Sequence, residues 1–135
     1  MLFRSHVDEL ARLVSIDAAC FDEFWRYGRA ELTDAAEKGE LFVAERDGVI
    51  LGYSTLAVYG ASGTLGRLAV DPVMRRRGIA RTLVADAASR TVRARATVFT
   101  LCTQRENRAS RALYASLGFA ELPEEFVVAS MGLGD

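Results

Sequence analysis

The chain has 135 residues, 50% of them apolar and 26% charged, and its 17 basic and 18 acidic side chains give a formal charge of −1. That size and apolar share suffice for one core without disulfides or metal, and predict a single domain over residues 1–135. The even charge balance argues against a general nucleic-acid surface. Two cysteines, Cys20 and Cys102, with no leader-like or membrane-length apolar run, predict a reduced cytoplasmic protein, and one histidine without paired ligand spacing predicts no metal site.

Along the chain, Ser5-His6-Val7-Asp8 reads as a capping box, after which Val7, Leu10, Leu13 and Val14 share one helical face to about Ala19. Any strand before this helix has only Met1 to Arg4 to use. A second helix is predicted from about Tyr27 to Lys38, stopping at Gly39, and the aromatic stretch Phe21 to Tyr27 between the two reads either as a core plug or as the wall of a pocket. Leu41 to Glu45 and Val49 to Val58 are apolar, β-rich runs around Arg46-Asp47-Gly48, a hairpin signal. Gly60 to Gly63 is the next turn and Thr64 to Val70 the next strand, which Pro72 ends. A helix then runs to about Arg90 with Ile79, Leu83 and Ala87 facing inward. Thr97 to Cys102 reads as a buried strand, and Phe119 to Leu122 and Phe126 to Met131 as closing strands after one more helix. This succession predicts an α/β domain.

Two segments carry chemistry. Leu68 to Leu83 reads as a strand, a basic turn bearing Gly78, and the first turns of a helix. The amides that open a helix lack partners within it and sit at the positive end of its dipole, so a phosphate or pyrophosphate fits there, with Gly78 allowing close approach and Ala80 keeping the surface low. The order Arg75-x-x-Gly78-x-Ala80 is neither a dinucleotide fingerprint nor a P-loop. Taken alone, an arginine-rich turn capping a surface helix is an equal reading. The second segment opens on Asn107, a good N-cap, and ends at Gly118, where helices reverse. Ala109, Leu113 and Leu117 form a buried stripe, while Asn107, Ser110 and Tyr114 share another face. By itself Tyr114 reads as a core-edge tyrosine.

In both segments the chain resembles the GNAT superfamily of N-acetyltransferases. Arg75-x-x-Gly78-x-Ala80 is similar to the signature Arg/Gln-x-x-Gly-x-Gly/Ala, and Asn107 to Phe119 is similar to Asn-x-x-Ala-x-x-Leu-Tyr-x-x-Leu-Gly-Phe, with Ser110 at the position of the alanine. The two stand in the family's order and separation, and the resemblance covers roughly residues 41 to 131 well and the start of the chain thinly. It implies a single-domain α/β fold whose mixed, mostly antiparallel sheet splays between its fourth and fifth strands, with helices on both faces. It implies transfer of an acetyl group from acetyl-coenzyme A to a primary amine, whether a protein N-terminus, a lysine or a small molecule, by direct attack in a ternary complex.

In that setting main-chain groups of Leu68, Ala69 and Val70 bond the pantetheine arm, which lies as an added strand. The turn Arg75, Arg76, Arg77, Gly78, Ile79, Ala80 and Arg81 takes the pyrophosphate. Asn107 and Ser110 face the cofactor arm, and Tyr114 protonates the departing thiolate. The partners expected are acetyl-coenzyme A and the amine, with no nucleic acid and no membrane, and a homodimer is left open. Family members that acetylate protein N-termini often carry a glutamate five positions before the motif asparagine. Here that position is Cys102, which reads as a small buried hydrophobe. The base then falls to a water chain or to Glu106, Glu45, Tyr53 or Tyr59, and a module that binds acyl-coenzyme A without turnover is a second reading.

Overall fold

The computed structural model describes residues 2–4, 9–21, 23–24, 26–103, 108–122 and 127–132. These make strands β1 (Leu2–Arg4), β2 (Leu41–Arg46), β3 (Val49–Tyr59), β4 (Ser62–Val70), β5 (Val98–Thr103), β6 (Ala120–Leu122) and β7 (Val127–Gly132). The helices are α1 (Leu10–Cys20), α2 (Arg29–Glu37), α3 (Ile79–Arg93) and α4 (Arg108–Ser116), with a short 3-10 turn at Pro72–Met74. The chain forms two compact units, residues 1–56 with 67–86, and residues 57–66 with 87–135. The expected capping box at Ser5 to Asp8 lies outside the described residues, and so does Phe126. No helix among the described residues is long and apolar enough to cross a membrane.

In the first unit the strand order is β1-β2-β3-β4, with β1 antiparallel to β2 and β2 antiparallel to β3. Arg46 and Val49 close the hairpin around Asp47 at φ 52° and Gly48 at φ 78°, the pair of left-handed residues that a type I′ turn requires. Successive side chains of β2 point to opposite faces. Leu41 and Val43 pack with Leu10, Leu13 and Ile16 of α1 and with Leu32 and Ala35 of α2. Ala44 packs instead with Val70 and with Ile79 and Leu83 of α3, so helices cover both faces of the sheet within this unit.

The apolar run of β3 carries no phase legible in its sequence, and a bulge supplies one. Ala44 pairs with Gly52 but Glu45 pairs with Ile50, which leaves Leu51 as an extra residue. Ile50 and Tyr53 therefore both enter the α1–α2 cluster, while Leu51 enters the α3 cluster. Gly52 is needed beside the bulge, because a Cβ there would stand 2.7 Å from the Ala69 carbonyl oxygen and 3.2 Å from Val70 Cα.

In the second unit the order is β4-β5-β7-β6, with β4 parallel to β5 and the other pairs antiparallel, so the pairing is mixed and mostly antiparallel. The described β4–β5 pairing runs from Ser62 opposite Val98 to Leu65 opposite Leu101. Ser62 and Gly63, expected in a turn, open β4 instead. The turn is Gly60, at φ 58°, with Ala61, whose carbonyl accepts the Thr97 and Val98 amides and so starts the ladder earlier. Gly63 lies so close under Thr91 of α3 that a Cβ would collide with that side chain. The last helix closes as its sequence foretells. Gly118, at φ 97°, donates to the Ala115 carbonyl and Phe119 donates to the Tyr114 carbonyl, each at 3.1 Å, which is a Schellman closure.

Candidate functional site

The arginine turn lies in the first unit. Arg76 at φ 66° and Gly78 at φ 79° are left-handed, and Arg75, Arg76, Arg77 and Gly78 are all exposed. The α3 ladder begins with Thr82 N–H to the Gly78 carbonyl at 3.0 Å, and the Thr82 hydroxyl donates to the same oxygen at 2.8 Å. The amides of Gly78, Ile79 and Ala80 thus open at the N-terminus ahead of that ladder. A left-handed residue followed by a helical one turns successive N–H groups into one concavity, which suits an anion. The rim is fixed from beneath, since Ile79 is buried and Ala80 packs against the same cluster as Leu83 and Val70. Sequence reasoning gave Gly78 the role of close approach; its positive φ is a second requirement for glycine.

The strand leading into this turn ends in a set of anchors. Leu68 is half-buried and Ala69 and Val70 are buried, so their side chains pack. Asp71 caps the 3-10 turn by accepting from Val73 N–H at 3.0 Å, and it pairs with Arg12 at 2.6 Å. The Arg12 guanidinium, and after it the Val73 amide, hold the Asp71 carboxyl below its ordinary range. Arg12 also donates to the Ile50 carbonyl at 3.0 Å. Cys20 joins strand to turn: its thiol donates to the Val70 carbonyl at 3.1 Å, and Arg75 Nη2 lies 3.6 Å from its sulfur.

Sequence reasoning missed a buried charged cluster in the same unit. Asp17 and Tyr53 are both fully buried. Asp17 accepts the Tyr53 hydroxyl, Arg67 Nε at 2.9 Å, Arg67 Nη2 at 3.1 Å and the Tyr27 amide at 2.6 Å. The Arg67 guanidinium lies between the rings of Phe21 and Tyr27, 3.8 and 3.9 Å from their centroids. The signal was in the sequence, for Asp17 continues the apolar stripe of Leu10 and Leu13. Tyr53, one of the base candidates, is thus buried with its hydroxyl donating to Asp17. Burial, and then the Asp17 carboxylate, push its phenol far above the ordinary value, so it stays protonated at neutral pH. Tyr59, another candidate, is 73% exposed.

In the second unit, Tyr114 is buried, and its ring meets Phe119 edge to face at 5.9 Å while Phe119 packs on Phe99 at 5.4 Å. Burial raises the Tyr114 phenol above its ordinary value, and a hydrogen bond with the Ser110 side chain offsets part of that. A neutral phenol at neutral pH is a proton donor. Asn107 and Glu106 lie outside the described residues. Cys102 pairs with Val128 in the sheet. Among the described residues no group of three or more His, Cys, Asp or Glu side chains could hold a metal ion.

The model of the acetyltransferase (GNAT) family matches residues 10–119. No curated protein matches the chain. Among solved structures, the PaiA N-acetyltransferase of Thermoplasma acidophilum, in complex with coenzyme A, superposes with a TM-score of 0.88 at 15% identity over 98% of both chains. The ribosomal-protein-alanine N-acetyltransferase of Brucella melitensis gives 0.81 at 21% identity, covering 98% of this chain and 99% of that one. YncA of Salmonella typhimurium, in a structure with its cofactor acetyl-coenzyme A, gives 0.81 at 17% identity over 100% of this chain and 94% of the other. At such identities the likeness is one of fold.

Proposed function

Because the chain belongs to the acetyltransferase (GNAT) family, we propose that it transfers an acetyl group from acetyl-coenzyme A to a primary amine by direct attack in a ternary complex. The observation that carries this reading is the exposed turn at Gly78, whose left-handed φ opens the first amides of α3 beside several arginines. That donor set fits a pyrophosphate. Arg75, Arg76, Arg77 and Arg81 add charge, the amides of Gly78, Ile79 and Ala80 bond oxygens, and main-chain groups of Leu68, Ala69 and Val70 bond the amides of the pantetheine arm. Asn107 and Ser110 contact that arm.

Tyr114 donates its phenolic proton to the departing thiolate. A thiol has a reference pKa of about 8.5, so its thiolate is a fair leaving group near neutral pH and the acid assists without being indispensable. No strong base stands at the position of Cys102, and a water chain removes the amine proton. At pH 7 an α-amine of pKa about 7.7–8.0 costs about 1–1.4 kcal/mol to neutralise, against about 4–5 kcal/mol for a lysine. The acceptor class is therefore α-amines and weakly basic small amines. The relative whose name specifies a ribosomal-protein alanine supports an α-amine, and those described with coenzyme A or acetyl-coenzyme A support the thioester. We place this activity in one domain of residues 1–135, in a reducing cytoplasm.

Two measurements test the reading: calorimetric titration with coenzyme A, and thiol release from acetyl-coenzyme A with an alanine-initiated hexapeptide, lysine and spermidine. Binding with turnover of the peptide is the expected result. Binding without thiol release from any amine would leave a module that holds acyl-coenzyme A without turnover, and absence of binding would remove the cradle.

A further inference from the structure

The turn that carries Gly78 is held at its helix end by buried Ile79 and in its middle by Met74, both packed in the cluster of Ala44, Val70 and Leu83. Its strand end is set by one carboxylate. Asp71 accepts the Val73 amide at 3.0 Å with Oδ1 and Arg12 Nη2 at 2.6 Å with Oδ2, so one rigid group both caps the 3-10 turn and faces α1. The Asp71 amide donates to the Leu51 carbonyl at 2.8 Å, and Leu51 is the extra residue of the β3 bulge. Arg12 reaches the carbonyl before it, donating to Ile50 at 3.0 Å, while α1 lies against the 3-10 turn. Helix α1, the bulge and the end of β4 therefore meet at Asp71, where the segment 72–78 begins.

We propose that Arg12 is a positioning residue for the pyrophosphate of acetyl-coenzyme A, acting through Asp71, whose carboxylate it holds in the orientation that caps the turn. This rests on the acetyl-coenzyme A reading. Apart from Met74, residues 72–78 are exposed, so little packing sets their course. The direction in which the chain leaves β4 then decides where Arg75 to Gly78 stand over the start of α3. Without Arg12 the carboxylate is free to turn to water, the bond from Val73 weakens, and coenzyme A has to order the turn as it binds. Asp71 is also the only acid between Leu68 and Ala85. Its negative charge by itself opposes a pyrophosphate, so the positioning role and the charge have opposite signs when Asp71 is neutralised.

Coenzyme A affinity in two variants separates positioning from charge. Arg12→Met keeps the apolar stem and gives up both bonds, and Asp71→Asn has a single oxygen for two donors. Both are expected to weaken coenzyme A in calorimetric titration by about fivefold to tenfold, between the worth of an exposed ion pair and that of a hydrogen bond to a charged group. ADP, which carries the pyrophosphate without the pantetheine arm, is expected to lose the same factor when it displaces coenzyme A. Were charge alone at work, Arg12→Met would weaken binding and Asp71→Asn would strengthen it. An Asp71→Asn protein that binds coenzyme A as the wild type does, or tighter, therefore overturns the proposal. So does a lowered melting temperature with affinity unchanged, which would make the pair a brace for the fold alone. Should Arg12→Met not fold, Asp71→Asn decides by itself, since its direction differs between the two cases. If the wild type binds no coenzyme A, the acetyl-coenzyme A reading fails and this proposal falls with it; wild-type affinity in both folded variants overturns the proposal alone.

Discussion

Tyr114 and Phe119 are coupled twice, through the hydrogen bond from the Phe119 amide to the Tyr114 carbonyl at 3.1 Å and through ring contact at 5.9 Å. The first follows from Gly118 at φ 97°, which reverses the chain, and the second from the hydrophobic contact that this kind of helix end brings about. The order Leu117-Gly118-Phe119 is therefore the means by which the ring of Tyr114 is fixed.

Gly118→Ala should destabilise the protein by about 1–2 kcal/mol, the strain of an L residue held left-handed. Thermal denaturation measures it. Loosening the closure frees the Tyr114 ring, so near-UV circular dichroism should weaken as well, and a variant with wild-type melting and spectrum would show that the helix end does not hold the tyrosine.

Gly78→Val should weaken coenzyme A binding at least tenfold, or about 1.4 kcal/mol, while the fold persists. The control is Gly48→Val. Gly48 at φ 78° and Gly78 at φ 79° bear nearly the same backbone strain, and a Cβ at either meets nothing within 4 Å. Both variants should lose similar stability, and only Gly78→Val should lose affinity in calorimetric titration. Equal affinities in the two would mean that the glycine serves the turn and not a ligand.

Much of the first unit was legible because its signals are local. Asp47-Gly48 gives a hairpin from two residues, and in the second unit Gly118 marks the end of a helix in the same local way. The bulge at Leu51 was not legible, since Val49 to Val58 is apolar nearly throughout and an extra residue leaves no mark on such a run. Gly63 read as a turn residue because nothing local announces that Thr91 lies over it. The turn at Gly78 could be read as an anion site from its residues, whereas the charge relationship of Asp17, Tyr53 and Arg67 depends on three distant elements meeting. Only the misfit of an acid on an apolar stripe pointed to it.

Coenzyme A should raise the melting temperature by mass action, contributing about 2.7 kcal/mol at a hundredfold excess over its dissociation constant. Adenosine, which lacks the pyrophosphate, should do far less. Equal shifts from the two, followed by differential scanning fluorimetry, would point to an adenine pocket and away from the cradle.

Tyr53→Phe should cost about 1.5–3 kcal/mol near pH 8, the range for a hydrogen bond to a charged group, since Asp17 keeps Arg67 and the Tyr27 amide. The sign of its pH dependence follows from burial. The folded phenol titrates above the unfolded value of about 10, so the stability it contributes is complete below about pH 10 and lost as pH rises further, by about 1.4 kcal/mol per unit. Urea unfolding at pH 8, 10 and 11 should show the gap between wild type and variant narrowing mostly in the last interval. A constant gap would mean that the phenol does not titrate with unfolding.

Tyr114→Phe tests the proposed acid. The phenylalanine ring keeps the contacts with Phe119, and acetyl-coenzyme A affinity should stay nearly unchanged, because the lost interaction belongs to the transition state. The fall in kcat should stay at or below about 10²–10⁴, the usual share of a general acid. It should shrink as pH approaches the thiol value of about 8.5, where the thiolate departs unaided. The phenol itself will not contribute to this profile, since burial raises it above its ordinary value and keeps it protonated throughout. Steady-state kinetics with the alanine-initiated hexapeptide from pH 6.5 to about 9, with single-turnover runs to confirm that chemistry limits, measure the ratio directly. A ratio near one across that range would return Tyr114 to packing alone, and a large ratio that does not change with pH would assign it to placing the thioester instead of protonating the thiolate.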